Sequence, residues 1–132
     1  MRIFLDTNVW LSATIFPGLC EELLLQCSER HSLLSSVLIQ SEAHEVLLRK
    51  FPQAPNACAW FDASWQDAIL VPDVTEPADD NDQRLVNAAA AADADLFVTG
   101  DKRVLSWQSM RRTGGSIMQI ASPREAWGIL FA

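Results

Sequence analysis

The sequence has few cysteines, no long apolar run and fewer basic than acidic side chains, and each shortage excludes a class of protein. Its 132 residues include 3 cysteines, too few for a small domain held together by disulfides. No apolar run approaches the roughly 20 residues of a membrane span, so we expect no membrane association. Asp6 arrives too early for the apolar core of a signal peptide. We therefore expect one domain, spanning 1–132, in the cytoplasm.

The cysteines and histidines also lack the arrangement of a zinc site. The chain contains no CxxC pair and no His–Cys cluster, which are the usual sources of zinc ligands. Cys20 and Cys27 are 7 residues apart and would share a helix face, where we expect reduced thiols packed in the core. The absence of a GxxxxGK[ST] motif excludes a P-loop nucleotidase.

Charge is distributed unevenly along the chain. The formal net charge is −7, which argues against passive nucleic-acid binding through a basic surface. Residues 1–99 carry 5 basic and 15 acidic side chains, whereas residues 100–132 carry 5 basic and 2 acidic ones. Acidic clusters can hold cations, which invert the local electrostatics. The negative total therefore does not exclude a phosphate-containing substrate.

Short apolar runs alternate with segments of helical periodicity. We predict strands at 2–5, 31–35, 68–71, 96–99 and 116–120, and helices at 19–30, 36–50, 55–67, 82–92 and 123–131. This alternation predicts an α/β fold: a three-layer α/β/α sandwich around a mostly parallel sheet of about five strands.

Two of the predicted strands are followed by an aspartate. Asp6 follows the first strand, and Asp101 follows the strand at 96–99 after one glycine. Open parallel sheets bind ligands beyond the carboxyl ends of their strands, near a switch in strand order. We therefore expect both carboxylates in one crevice.

Two helices carry an acid near their apolar face. At about 100° per residue, Glu42 falls at the edge of its helix's apolar stripe and Asp82 falls in line with the next one. Glu45, which points further toward water, competes with Glu42. Asp79 and Asp80 compete with Asp82 in the same way. Taken singly, Asp82 is explained as a helix cap and Glu42 as a solvated charge.

Together these four carboxylates indicate a metal site. Burying several carboxylates close together is costly unless a cation pairs with them. Hard divalent ions such as magnesium prefer oxygen ligands, and they polarise phosphates and activate water. Asp6, Glu42, Asp82 and Asp101 therefore predict metal-assisted phosphodiester hydrolysis.

The same residues carry a family resemblance. Asp6-Thr7-Asn8 after a strand, Glu42 and Asp82 on helices, and Thr99-Gly100-Asp101-Lys102 after a strand occur in one order across residues 3–102. In this the chain resembles PIN-domain ribonucleases, of the kind found in VapC-like toxins of prokaryotic toxin–antitoxin systems. One departure is Asp93, where relatives often have glycine.

The resemblance implies a function, a cofactor and partners. It implies that the four carboxylates are catalytic residues holding one or two Mg²⁺ or Mn²⁺ ions, with Asn8 and Thr99 as supporting polar residues. It implies an RNA substrate of unspecified sequence, an antitoxin protein and a homodimer. The apolar stretch 9–16, which includes Trp10, is a candidate surface for a second copy or an antitoxin.

Four basic residues follow the last acid: Lys102, Arg103, Arg111 and Arg112. They are candidate contacts to the RNA backbone beside the metal, with a solvated basic surface as the equal alternative. Among the tryptophans, Trp107 is the one that we single out for base stacking.

Two alternative functions stay open. A receiver-like module would use magnesium for regulation, although the strand at 31–35 ends in serine where such a module needs its acceptor aspartate. A degenerate PIN domain would bind without cutting. A phosphatase of the haloacid dehalogenase type is disfavoured, because that chemistry needs a DxD pair and this chain has Asp6-Thr7-Asn8.

Overall fold

A computed structural model describes residues 1–76, 78, 80–112 and 114–131. In chain order, the elements within these residues are β1 (Arg2–Leu5), α1 (Thr7–Ile15), α2 (Leu19–Arg30), β2 (Ser32–Ser35), α3 (Val37–Lys50), α4 (Ala57–Trp65), β3 (Ile69–Leu70), α5 (Asn81–Ala91), β4 (Leu96–Val98), α6 (Lys102–Leu105), β5 (Ser109–Arg111), β6 (Ile117–Ala121) and α7 (Pro123–Leu130).

The described strands form one sheet with the order β3-β2-β1-β4-β6-β5. All neighbouring strands are parallel except β5 and β6, and helices flank the sheet. The predicted α/β sandwich with a mostly parallel sheet is confirmed. From β1 the chain adds β2 and then β3 on one side of β1, and it then crosses to the other side of β1 to form β4. The switch in strand order therefore lies between β1 and β4, where such sheets bind ligands.

The two strands at this switch point form the centre of the core. Ile3, Phe4 and Leu5 are fully buried, as is the whole of β4. The rings of Phe4 and Phe97 stack with their centroids 5.5 Å apart. A central parallel strand is covered on both faces, which is why these segments are continuously apolar rather than alternating.

The apolar stretch on α1 belongs mainly to this core. Trp10 is 0% exposed, and its ring meets the edge of Phe61 with the centroids 5.4 Å apart. The expectation that Trp10 lies on a surface for a second chain is therefore wrong. Within this stretch Phe16 is the large side chain that stays exposed, at 56%.

Asp93 occupies a backbone conformation that favours glycine. Its φ is +58°, in the left-handed region, just past the end of α5. The next residue, Ala94, donates its amide to the Ala89 carbonyl at 3.0 Å, which closes the end of the helix. This conformation gives a physical reason for the glycine expected at this position, since aspartate tolerates it at a small cost.

The three cysteines are free thiols, and Cys27 is fully buried.

In the described part of the chain, no helix has both the length and the apolar character required to cross a membrane.

Candidate active site

Asp6 lies at the carboxyl end of β1 and is the N-cap residue of α1. Its carboxylate accepts a hydrogen bond from the Thr7 amide at 2.8 Å and thereby caps the helix. Its own amide donates to the Val98 carbonyl of β4 at 2.8 Å. Only 4% of Asp6 is exposed. The β1–β4 pairing therefore fixes this carboxylate at the switch point.

Asn8 and Thr99 hold the second oxygen of that carboxylate. The Thr99 hydroxyl donates to Asp6 Oδ2 at 2.8 Å, and Asn8 Nδ2 donates to the same atom at 3.1 Å. The Gly100 amide donates to Asn8 Oδ1 at 2.8 Å. The two predicted supporting residues thus orient Asp6.

Asp101 follows β4 on the same edge of the sheet. Its amide donates to the Thr99 hydroxyl at 3.0 Å, and its carboxylate accepts from the Arg103 amide at 2.8 Å. The side chain thereby caps α6 while remaining half-buried. Thr99 therefore links the positions of Asp6 and Asp101.

Glu42 reaches this edge from α3. Its Oε1 accepts a hydrogen bond from the Thr7 hydroxyl at 2.8 Å, and its Oε2 accepts from Asn81 Nδ2 at 3.4 Å. The competing Glu45 points away and pairs with Arg49 one helical turn later. The structure therefore places Glu42, rather than Glu45, beside the other carboxylates.

Asp80 and Asp82 share one guanidinium at the start of α5. Asp80 caps the helix by accepting from the Gln83 amide at 3.0 Å. Arg103 Nη2 donates to Asp80 at 2.7 Å, and Arg103 Nη1 donates to Asp82 at 2.9 Å. Asp82 is the one that interacts electrostatically with Asp101 and Glu42. The competing Asp79 lies outside the described residues.

Asp6, which is buried, and Asp82, which is half-buried, have raised pKa values. Burial raises the pKa of Asp6 to about 6, hydrogen bonds from Thr99 and Thr7 oppose the rise, and the charges of Asp82 and Glu42 add to it. Burial also raises the pKa of Asp82, with further contributions from Asp101 and Asp80. Closely spaced carboxylates with raised pKa values are typical of functional sites.

The donor set suits a hard cation, although the side chains do not form a closed ligand cage. Among the described residues, no group of three or more Asp, Glu, His or Cys side chains is arranged to hold a metal ion as it stands. Arg103 is hydrogen-bonded to Asp82, and both carboxylate oxygens of Asp6 already accept hydrogen bonds. Magnesium commonly binds through one or two carboxylates and retains several waters. The all-oxygen chemistry therefore fits such an ion.

The four predicted RNA-contacting basic residues are separated into two pairs. Lys102 and Arg103 begin α6 beside the carboxylates. Arg111 and Arg112 lie at the opposite end of the strands, near the amino ends of β4 and β6. There Arg112 Nη1 donates to Asp95 Oδ1 at 2.6 Å. Asp95 precedes β4, whereas Asp101 follows it. The expectation that all four lie beside the metal site is therefore corrected for Arg111 and Arg112.

The sequence argument did not single out Thr7 or Asn81. Both side chains donate to Glu42 and so position that carboxylate. The sequence offered one indication of their role: Thr7 directly follows Asp6, and Asn81 directly precedes Asp82.

Comparison with known families agrees with this geometry. A family model described as "PIN domain" matches residues 2–103. The chain belongs to the PIN-domain family. A search of curated proteins gives no match. The matched residues of this PIN domain include all four carboxylates and both supporting residues. PIN domains are generally nucleases that use divalent metal ions, and the fold described above is of this nuclease type.

Proposed function

We propose that this protein is a metal-dependent endoribonuclease that hydrolyses RNA phosphodiester bonds. The observation that carries the proposal is the meeting of Asp6, Glu42, Asp82 and Asp101 at one edge of the sheet. They come from four different parts of the chain, and burial raises the pKa of Asp6, to which the charges of Asp82 and Glu42 add. A cation offsets that cost.

The four carboxylates would hold Mg²⁺ or Mn²⁺. The bound ion would polarise the phosphate and lower the pKa of a water molecule that serves as the nucleophile. Asn8 and Thr99 keep Asp6 in one orientation through its Oδ2. Thr7 fixes Glu42 through Oε1. Asp6 and Glu42 are thus held by side chains that leave them little freedom, which is the pre-organisation that catalysis requires.

A role as the toxin of a toxin–antitoxin pair is the finer part of the proposal. It rests on the resemblance of the Asp6-Thr7-Asn8 and Thr99-Gly100-Asp101-Lys102 segments to VapC-like toxins. An antitoxin protein and a homodimeric state follow from that resemblance as further proposals. A cytoplasmic location is proposed on the same ground.

The deciding experiment measures RNA cleavage as a function of metal. Purified protein is incubated with a mixed RNA pool in EDTA, Mg²⁺ or Mn²⁺. We expect discrete products with either ion and none in EDTA, because the carboxylates alone supply no activated water. Cleavage that persists in EDTA would contradict the metal dependence. Intact RNA under all conditions, with ion binding confirmed by calorimetry and no co-purified partner, would favour the degenerate alternative.

Arg103 should compete with the metal for Asp82. We expect Arg103→Met to bind Mn²⁺ about tenfold more tightly, equivalent to about 1.4 kcal/mol, because the ion no longer displaces a guanidinium. The gain is modest because the pair is partly solvated. Titration calorimetry measures the affinity. Arg49→Met removes an exposed charge paired with Glu45 and should leave the affinity unchanged. Equal or weaker Mn²⁺ binding by the Arg103 variant would show that no competition exists.

A further inference from the structure

A surface groove runs between α5 and β5, from the candidate active site toward the opposite end of the strands. It consists of two adjoining depressions of about 440 Å³ and about 200 Å³, which share Gln83 and Met110 as lining residues. Along α5, it extends from Gln83 in the first turn to Ala91 in the last. At about 1.5 Å per helical residue, this length is about 12 Å.

One end of the groove lies next to the candidate active site. Gln83 directly follows Asp82, and its amide is capped by Asp80. Trp107 lines the same end, and the Arg103 guanidinium lies over the Trp107 ring at 5.1 Å from its centroid. Arg103 is in turn bonded to Asp82. Trp107 and Arg103 therefore link this end of the groove to Asp82.

The walls of the groove combine an apolar surface with positive charge. Trp107 and Met110 supply aromatic and thioether surface, Gln83 supplies an amide, and Arg111 and Arg112 lie at the far end. No carboxylate lines either depression within the described residues. This contrasts with the acidic balance of residues 1–99.

Arg111 is the residue best placed to meet an anion. Arg112 is paired with Asp95. Arg111 is exposed, and in the described part of the chain its guanidinium donates to the Gly115 carbonyl at 3.3 Å without an acidic partner. An exposed guanidinium at the end of an apolar groove is complementary to a strand that carries both bases and phosphates.

We propose that a single-stranded segment of the RNA substrate lies along this groove, with bases against Trp107 and Met110 and a phosphate at Arg111. The proposal rests on the proposed ribonuclease function. Stacking on Trp107 requires an unpaired base, since a duplex buries the base faces. A stacked strand rises about 3.4 Å per nucleotide, so the groove accommodates about three to four nucleotides beyond the scissile phosphate. The carboxylates would cut the RNA, and the groove would select single-stranded RNA.

The test measures RNA binding in EDTA, where cleavage does not interfere. Fluorescence anisotropy follows a short, unstructured, labelled RNA and its duplex form, with the wild-type protein and with Trp107→Leu and Arg111→Ala. Arg49→Ala and Trp60→Leu are matched controls, since Arg49 and Trp60 are exposed residues that do not line the groove. Trp107→Phe retains an aromatic ring and guards against a folding defect, which thermal unfolding also monitors.

We expect the single strand to bind at least about tenfold more tightly than the duplex and each groove variant to lose about tenfold in affinity. Trp107→Phe should retain most of the affinity, and the controls all of it. Arg111→Ala should also reduce the slope of log K against log salt by about 0.7, the value for one phosphate of a single strand. Trp107→Leu should leave that slope unchanged.

The outcomes separate this proposal from the proposed function. If the wild-type protein cleaves RNA with metal but both groove variants bind like the controls, the groove is not the RNA path and the nuclease stands. If the groove variants lose RNA binding but no metal supports cleavage, the groove stands and the nuclease falls. Duplex binding equal to that of the single strand would overturn the selectivity. A wild-type protein that binds no RNA would also overturn the groove proposal and favour a protein segment as its occupant.

Discussion

Asp6→Asn is expected to abolish metal-dependent RNA cleavage, with a rate loss of about 1,000-fold or more. Asparagine has nearly the same shape, and its Oδ1 can still accept a hydrogen bond from the Thr7 amide. The start of α1 should therefore be preserved. It lacks the negative charge that would hold the ion. Its amide would also face the Asn8 Nδ2 donor that now serves Asp6 Oδ2, which removes a hydrogen bond that orients the group. The measurement is the initial rate of appearance of a discrete RNA product in Mn²⁺.

Asp67→Asn is the matched control for this substitution. Asp67 is exposed and follows α4, outside the candidate site, so its replacement changes the net charge equally and should leave cleavage intact. Asp101→Ala should behave like Asp6→Asn, because Asp101 lies on the same edge of the sheet. If both active-site variants still cleave RNA with metal while remaining folded, the carboxylates are not the catalytic centre.

The strand ends made much of the site predictable from the sequence. Asp6 and Asp101 were expected to meet because adjacent parallel strands bring their carboxyl ends to one edge, and Thr99 links their positions. Helical geometry placed Glu42 nearer the apolar stripe of its helix than Glu45, and in the structure Glu42 is half-buried whereas Glu45 is exposed. These features depend on local periodicity and on sheet direction, both of which a sequence carries.

The chain after Asp101 was less predictable. β5 is short and largely exposed, so it lacks the apolar pattern by which strands are recognised. It runs antiparallel to β6, which reverses the chain and carries Arg111 to the opposite end of the strands. Closeness to Asp101 in the sequence therefore led to the wrong expectation that Arg111 lies beside the carboxylates. The Arg103–Trp107 contact is local, across the end of α6, but this short helix has no periodic signal of its own by which the sequence would reveal it.

The metal-free protein should lose stability as the pH rises through the titration of Asp6. The folded-state pKa is about 6, above the reference value of 3.8. Between these values the folded state retains a proton that the unfolded state has released, so the free energy of unfolding falls with rising pH. The full stabilisation is present below about pH 4 and is lost above about pH 6, and its size is about 3 kcal/mol.

Other carboxylates also make stability depend on pH. The raised pKa of Asp82 acts in the same direction as that of Asp6, whereas lowered pKa values act in the opposite direction and at lower pH. The pKa values of Asp80 and Asp95 are lowered by hydrogen bonds from the Gln83 and Arg2 amides and by their arginine partners. The informative quantity is therefore the difference between Asp6→Asn and the wild-type protein, from urea unfolding in EDTA at a series of pH values. That difference should shift in favour of the variant by about 3 kcal/mol between about pH 3 and pH 7.

Metal should reverse this loss in the wild-type protein alone. Above pH 6 the ionised Asp6 is available to a cation, and an ion that binds only the folded state adds stability by mass action. We therefore expect Mn²⁺ to raise the unfolding midpoint of the wild-type protein at pH 7 and to have a much smaller effect on Asp6→Asn. A pH-independent difference between the two proteins in EDTA would mean that burial does not hold the proton on Asp6. An equal response to Mn²⁺ would place the ion at other carboxylates. Both results together would mean that the Asp6 carboxylate accounts neither for the pH dependence of stability nor for the response to metal.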